Sequence, residues 1–222
     1  MRKYFKIFKS DIIMESFLTY SDCDINETQI KTIDDFNWVS DMIIHFWIRY
    51  LENKYNTKQT FYFFVPCVTQ LFQAYPSKIV KPMMKNIDIR KYSYVFFPMA
   101  DFNIDTLSAS HFSCLYLDNT GQKSMFKHFD SVNQSNYHSA CNLARNVCNV
   151  FDFCCDGVEK LKCVLQNNGY DCGIYVMAYI EAFIQTQNHV KANKMLLNCD
   201  IHEYRQNIKK VIYEMAEKQQ KQ

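Results

Sequence analysis

The chain has 222 residues, of which 48% are apolar, 16% aromatic and 22% charged, with 25 Lys and Arg against 23 Asp and Glu. This aromatic-rich and nearly neutral composition excludes a disordered chain and argues against nucleic-acid binding through a broad basic face. Only four glycines and four prolines occur, which argues against collagen-like, linker-rich and glycine-loop nucleotide-binding proteins. At this length we expect a single domain spanning residues 1–222.

The ten cysteines are interpreted as reduced thiols rather than as a disulfide scaffold. A chain of this length can bury a core without disulfides, and no secretory signal is visible because Lys9 and Asp11 interrupt the N-terminal stretch. We therefore expect a location in the cytoplasm and nucleus. No two cysteines have CxxC spacing, so the sequence implies no structural zinc, and it implies no other cofactor. No apolar run approaches the ~20 residues of a membrane span, so we expect no membrane partner.

The first half of the chain predicts short elements. Residues 1–37 show no clear periodicity and are interpreted as an N-terminal extension of unclear role. Ser40 or Asp41 could cap a helix whose apolar positions continue to Leu51. The elements predicted after it are a strand over 61–65, short helices over 68–72 and 79–86, and a central strand over 92–97.

The second half predicts a hairpin and three longer helices. The hairpin strands cover 111–117 and 124–130 around a turn at Asp118–Gly121. The later predicted elements are a helix over 135–151, a strand over 161–165, an almost wholly apolar helix over 172–185 and a last helix over 201–218. The basic residues near the end are interpreted as one solvated helix face: Arg205, Lys209, Lys210, Lys218 and Lys221. Strands and helices mixed without a βαβ rhythm indicate an α+β fold.

Two of the four glycines flank one cysteine in the segment Gly169–Gly173, directly before the apolar helix. A cysteine at a helix start meets unpaired N–H groups and the positive end of the helix dipole, and both favour the nucleophilic thiolate. Gly173 would also let a substrate backbone approach closely. The plainer interpretation is that Cys172 is a buried cysteine at a glycine-bounded turn, and this segment alone supports both equally.

The predicted hairpin carries a histidine and a carboxylate that could lie close together. If the turn centres between Thr120 and Gly121, residues whose numbers sum to 241 face each other, and His111 then faces Asp130. Directly opposed residues of an antiparallel pair share a face, with Cβ atoms about 4.5–5.5 Å apart. A cysteine nucleophile needs such a base together with a carboxylate that orients it.

The other five histidines compete less well for this role. His128 would face Ser113 on the same hairpin, without an acidic partner in that register. His138 precedes Cys141 by one helical turn but has no glycine turn or acid beside it. His45, in an aromatic helix, and the C-terminal His189 and His202 are interpreted as structural or solvated.

The order His111, Asp130, Gln166, Cys172 then identifies a family. The segments His111–Ser113, His128–Ser131, Ser135–Asn136 and Gln166–Gly173 resemble those of the sentrin-specific proteases, which process ubiquitin-like modifiers. Within that family the chain looks most similar to the deneddylases, from about Trp38 to the C-terminus. The resemblance implies a papain-like α+β fold of the ubiquitin-like protease type, with a central mixed sheet packed against helices and the nucleophile at a helix N-terminus.

The resemblance also implies a role for each matching residue. Cys172 would be the nucleophile, His111 the general base and then acid, and Asp130 the residue that orients His111. Gln166 would donate a hydrogen bond to the oxyanion, together with the backbone N–H of Cys172, and one such donor contributes ~3 kcal/mol.

The substrate-binding residues implied in this way are Trp38, Asp41, Phe112 and Gly173. Trp38 and the residue after the catalytic histidine would form a narrow aromatic tunnel over a Gly-Gly tail. The family has Trp at that second position, whereas this chain has Phe112, and the preceding loop at 103–110 lacks the glycines of a flexible clamp.

The activity implied is that of a thiol isopeptidase, which cleaves after the C-terminal Gly-Gly of the neddylation modifier. Its partners would be that modifier and its conjugates such as cullins, with the enzyme acting as a monomer and without nucleic acid. SUMO and then ubiquitin are the alternative modifiers. Two other classes stay open: a non-catalytic module that binds a modifier, and a relative on the same scaffold that transfers acetyl groups.

Overall fold

The computed structural model describes residues 16–55, 57, 59–101 and 109–221, so most of the loop at 103–110 lies outside the described residues. Its strands and helices alternate irregularly along the chain. In chain order they are β1 (Leu18–Tyr20), β2 (Cys23–Ile25), α1 (Glu27–Lys31), α2 (Asp41–Tyr55), β3 (Phe61–Phe63), α3 (Pro66–Ala74), α4 (Ser77–Val80), a 3₁₀ turn (Ile89–Lys91), β4 (Tyr94–Ala100), β5 (Phe112–Asp118), β6 (Met125–Phe129), α5 (Tyr137–Phe151), β7 (Val158–Lys160), α6 (Cys172–Thr186), α7 (His189–Leu197) and α8 (Ile201–Gln220).

Five strands form one mixed sheet in the order β3-β4-β5-β6-β7. The two outer pairs, β3 with β4 and β6 with β7, are parallel, whereas the central strand β5 runs antiparallel to both β4 and β6. All seven residues of β4 are buried, as the apolar run in the sequence predicts for a central strand. The α+β fold with a central mixed sheet is confirmed.

Alternate side chains of the sheet enter two separate cores, because successive residues of a strand point to opposite faces. On β4, Phe96 packs into the core that includes α2, α6 and α8, while Val95 and Phe97 pack into the core that includes α3 and α5. Helix α6 is the centre of the first core, where Phe183 contacts Phe96 at a ring-centroid distance of 5.4 Å. This burial explains why α6 is apolar almost all round.

Residues 16–37 are part of the fold and do not form a loose extension. The β1–β2 hairpin and the turn after α1 bury Leu18, Ile25 and Ile33 in the first core. Asn26 and Gln29 form a capping box at the start of α1. The sequence prediction missed these elements because strands of three residues are too short to show a periodic pattern.

Three other predictions need correction. The strand predicted at 161–165 is wrong, since the strand there is β7, at Val158–Lys160. The helix predicted at 79–86 is the shorter α4, followed by turns. Helix α7 was missed within a polar segment, where it buries only Ala192 and Leu196. No helix in the described part of the chain is both long and apolar enough to cross a membrane.

Candidate active site

Cys172 is the first residue of α6 and is 4% exposed. Its Sγ accepts a hydrogen bond from the backbone N–H of Phe112, at 3.4 Å. The first N–H groups of a helix lack intrahelical partners and carry a partial positive charge. The thiol therefore lies beside three groups, namely the helix start, the Phe112 N–H and the imidazole of His111.

His111 lies just before β5, and its Nε2 lies 2.7 Å from Oδ1 of Asp130. Asp130 is fully buried directly after β6 and also accepts hydrogen bonds from the backbone N–H groups of Val132 (2.8 Å) and Asn136 (2.9 Å). These donors fix the carboxylate in place. The carboxylate in turn fixes the imidazole ring through Nε2. Nδ1 is then the ring nitrogen that does not contact Asp130.

The assumed strand register is wrong by two residues. Paired residues of β5 and β6 sum to 243, so Leu115 faces His128. A shift of two residues keeps every side chain on its original face, because the side-chain period of a strand is two. His111 and Asp130 are therefore diagonal neighbours beyond the paired region, and their side chains still meet.

The surroundings of His111 raise its pKa. Burial lowers the pKa, but the hydrogen bonds with Asp130 and Cys172 outweigh it and raise the pKa to about 9. Burial acts in the opposite direction on Asp130, yet the bonds from His111 and from two backbone N–H groups hold the pKa of Asp130 below its usual value. A protonated His111 beside an ionised Asp130 is the charge arrangement that these two shifts favour.

Two further residues hold His111 by its backbone. Oδ1 of Asp101 accepts the His111 N–H at 2.8 Å, and Nδ2 of Asn136 donates to the His111 carbonyl at 3.1 Å. Sequence reasoning missed both roles. Asn136 stands in a segment that carries the family resemblance, but nothing in the sequence singles out Asp101.

Gln166 lies on the loop that leads to α6. Its Oε1 accepts a hydrogen bond from Ser131 Oγ at 2.8 Å, and its Nε2 donates to the carbonyl of Asn168 at 2.7 Å. A carboxamide nitrogen carries two N–H donors, so this bond occupies one of them. The oxyanion role implied for Gln166 requires the second.

The four residues implied in substrate binding have different surroundings. Trp38 is 55% exposed, and its indole N–H donates to the Gly169 carbonyl at 2.7 Å, so the ring stands beside the loop before Cys172. Phe112 is half-buried, and Asp41 is half-buried in the first turn of α2.

The structure explains the glycine at position 173 by a reason that differs from the expected one. It is buried, and a Cβ at this position would lie 2.3 Å from Cγ1 of Val39 and 3.6 Å from Cδ2 of Phe112. The missing side chain therefore makes room for the protein's own segment after Trp38. The structure shows close packing of two chain segments here rather than an opening for a substrate backbone.

The remaining histidines do not contact Cys172 or Asp130 among the hydrogen bonds of the described residues. His128 is fully buried and bonds to Ser113 (3.1 Å) and Gln134 (2.9 Å), behind the site. Burial lowers the pKa of His128, so this ring is a neutral structural group.

Known proteins with similar sequences fall into one group. The model of the Ulp1 protease family, C-terminal catalytic domain, matches residues 37–220. Sentrin-specific protease 8 of Homo sapiens is 29% identical over 178 residues, covering 76% of this chain and 81% of the relative. The probable sentrin-specific protease 8 of Dictyostelium discoideum is 23% identical over 187 residues, covering 76% and 74%.

Solved structures show the same fold. The C-terminal Ulp1 protease domain in complex with Smt3, the yeast ortholog of SUMO, has a TM-score of 0.66 and 22% identity, covering 91% of this chain and 88% of that one. A de-sumoylating protease has a TM-score of 0.69 and 17% identity, covering 87% of each chain. The Xanthomonas campestris effector XopD bound to ubiquitin has a TM-score of 0.55 and 18% identity, covering 80% and 90%.

Proposed function

The chain belongs to the Ulp1 protease family, which consists of cysteine proteases that cleave ubiquitin-like modifiers, and we propose that this member is a deneddylase. It would cleave after the C-terminal Gly-Gly of the neddylation modifier, in its precursor or in conjugates such as modified cullins. The observation that carries the catalytic part is the contact set of Cys172, His111 and Asp130. The resemblance to sentrin-specific protease 8 over 76% of the chain supports the choice of modifier.

In the proposed mechanism, Cys172 attacks as a thiolate beside an imidazolium. The sulfur forms a bond to the carbonyl carbon of the terminal glycine, and the carbonyl oxygen becomes an oxyanion. When the tetrahedral intermediate collapses, the C–N bond breaks and His111 donates its proton to the leaving amine. A thioester remains, and the freed amine is a lysine side chain or the N-terminus of a short extension.

Hydrolysis then reverses the role of His111. The neutral ring takes a proton from water, the hydroxide attacks the thioester, and the thiolate leaves with the modifier released as a free carboxylate. Asp130 keeps the ring oriented through both steps, since it holds Nε2 and leaves Nδ1 for the reacting groups.

The oxyanion donors in this proposal are the Cys172 backbone N–H and the second N–H of Gln166. Both belong to the short stretch that ends at the start of α6, and the carboxamide is held by Ser131 and Asn168. Donors that are fixed before the reaction need no reorganisation as charge develops, which is why such groups can contribute ~3 kcal/mol each.

Trp38 would form one wall of the cleft over the Gly-Gly tail. An indole that is half exposed, yet fixed by a hydrogen bond, offers a flat surface at small entropic cost. Glycine has no Cβ, so only a glycine tail could pass close beneath such a ring. The compartment we propose is the cytoplasm and nucleus, where a thiolate nucleophile stays reduced.

Covalent capture tests the proposal. The protein and a Cys172→Ala variant are mixed with the neddylation modifier, SUMO and ubiquitin, each carrying a C-terminal electrophile, and adducts are followed by intact mass. We expect an adduct on the wild type alone, formed fastest with the neddylation modifier. Cys67→Ala is a matched control, because Cys67 is an exposed cysteine outside the site and its loss should leave capture unchanged.

Each outcome has a distinct meaning. Equal capture by Cys172→Ala would remove Cys172 from the role of nucleophile. Faster capture of SUMO or ubiquitin would contradict the proposed modifier but leave the protease assignment in place. Binding of a modifier without any adduct would favour the non-catalytic module.

A further inference from the structure

Arg205 is a buried cation next to the candidate site. It lies on α8 and is 1% exposed, so the prediction of a solvated basic face is wrong at this position. Its Nε and Nη2 lie 3.1 and 2.6 Å from the same oxygen of Asp171, the residue directly before Cys172. A buried charge of this kind requires full pairing, and its partner adjoins the proposed nucleophile.

Backbone carbonyls hold the rest of the guanidinium group. Nη1 donates to the carbonyls of Ile33 and Asp34, both at 3.2 Å, and Nη2 donates to that of Asn37 at 3.1 Å. These carbonyls belong to the segment between α1 and Trp38. Because five N–H donors in a rigid plane match several acceptors at once, the segment fixes the orientation in which Arg205 meets Asp171.

Asp171 occupies the N-cap position of α6 but does not cap the helix. An aspartate at an N-cap ordinarily accepts a hydrogen bond from the second or third N–H of its own helix. Here one oxygen faces Arg205, and the other accepts from Asn168 Nδ2 at 2.7 Å. The carboxylate is therefore held away from the N–H groups of Cys172, Gly173 and Ile174, which have no intrahelical acceptor.

We propose that Arg205 is a positioning residue that prevents Asp171 from capping α6 and so keeps a carboxylate away from the first N–H groups of the helix, among them the Cys172 N–H that is the proposed oxyanion donor. Without Arg205, the carboxylate would turn towards the helix start, compete for those N–H groups and place a negative charge next to the reacting sulfur. The role for the oxyanion rests on the proposed function. The effect on Asp171 does not.

Two measurements separate this role from a general loss of stability. Amide exchange of Gly173 and Ile174, followed by NMR, should be at least threefold slower in Arg205→Met, because Asp171 then caps the helix. Ordinary destabilisation would make these amides exchange faster. In the double variant Arg205→Met/Asp171→Ala the slowing should disappear, since no carboxylate remains.

Steady-state turnover of a fluorogenic modifier tail gives the second measurement. Arg205→Met should lower kcat at least tenfold with KM within threefold of the wild type, and the double variant should recover at least threefold in kcat. Arg205→Lys keeps the charge beside Asp171, so its kcat should lie between that of Arg205→Met and that of the wild type. Tyr204→Phe is the control, because Tyr204 on the same helix bonds Trp47 and Glu181 and does not touch Asp171.

The inference is overturned if Gly173 and Ile174 exchange faster in Arg205→Met than in the wild type, or if Tyr204→Phe lowers kcat as much. If Arg205→Met does not fold, the test uses Arg205→Lys instead. Amide exchange and kcat that are both unchanged in Arg205→Lys would then overturn the inference. If the wild type turns over no modifier tail, the proposed function fails, and the exchange measurement still decides the role of Arg205.

Discussion

The hydrogen bonds around His111 set the pH range in which its ring is an imidazolium. Asp130 and Cys172 raise the pKa of His111 from 6.5 to about 9 against the opposing effect of burial. Below that value the ring is protonated and can stabilise the thiolate and donate a proton to the leaving amine. We expect kcat/KM to fall as the pH rises through about 9, where the ring loses its proton.

Replacing Asp130 moves this limit. Asp130→Asn removes the negative charge that raises the pKa of His111, so the alkaline limb of the profile should shift to lower pH, and kcat/KM should fall by up to about 10⁴-fold. Activity measured from pH 5 to 10.5 shows both effects. Asp118→Asn is the control, since Asp118 pairs with Lys127 on the same hairpin and leaves His111 untouched. An alkaline limb that stays in place would contradict the role of Asp130.

At the residue scale, the sequence predicts which three side chains of the candidate site meet better than it predicts the groups that hold them. His111, Asp130 and Cys172 belong to short motifs, and a glycine-bounded cysteine before an apolar helix suggests its own chemistry. Asp101 and Arg205 act on backbone groups or on residues distant in the chain. No local pattern marks such contacts, because they depend on how separate elements pack.

At the scale of elements, the strongly periodic segments were predicted well and the short ones poorly. Helices α2, α5 and α6 lie where their apolar spacing predicts them. The hairpin was found, but its register was wrong by two residues because the loop length does not define where pairing begins. The predicted contact between His111 and Asp130 is present despite this error, because a shift of two residues preserves the face of each strand.

The start of α6 provides a test of packing between elements. In Gly173→Ala, the new Cβ would lie 2.3 Å from Cγ1 of Val39, a branched side chain that cannot turn away freely. Such overpacking should lower the free energy of unfolding by about 1–3 kcal/mol. Shifting α6 away from the Trp38 segment should also slow capture of a modifier probe.

Val39→Ala tests the cause of that effect. Combined with Gly173→Ala it removes the colliding methyl group, so the double variant should regain part of the stability that Gly173→Ala loses. Urea unfolding of both single variants and the double variant gives the coupling energy. Simple additivity of the two losses would show that the close approach of Val39 is not the reason for the glycine.

At the scale of the whole molecule, residues 16–37 and helix α8 meet beside the site. Residues 16–37 and α8 meet through Arg205, and the backbone N–H of Thr19 on β1 donates to the side chain of Gln219 near the end of α8. The sequence could not predict this closure, because it depends on short strands and on contacts about 170 to 200 residues apart. Within the segment interpreted as an extension, the described residues 16–37 therefore support both the core and the position of Trp38.

This closure predicts that Ile33 matters more than its place before the matched family region suggests. The side chain of Ile33 is fully buried in the first core, and its carbonyl accepts from Arg205. Ile33→Ala should lower the free energy of unfolding by about 2–5 kcal/mol, as expected for a cavity in a core. Leu197→Ala, at a position 69% exposed, should change it by less than about 0.5 kcal/mol. Urea denaturation of both variants decides the matter: similar small losses would show that residues 16–37 are an appendage after all.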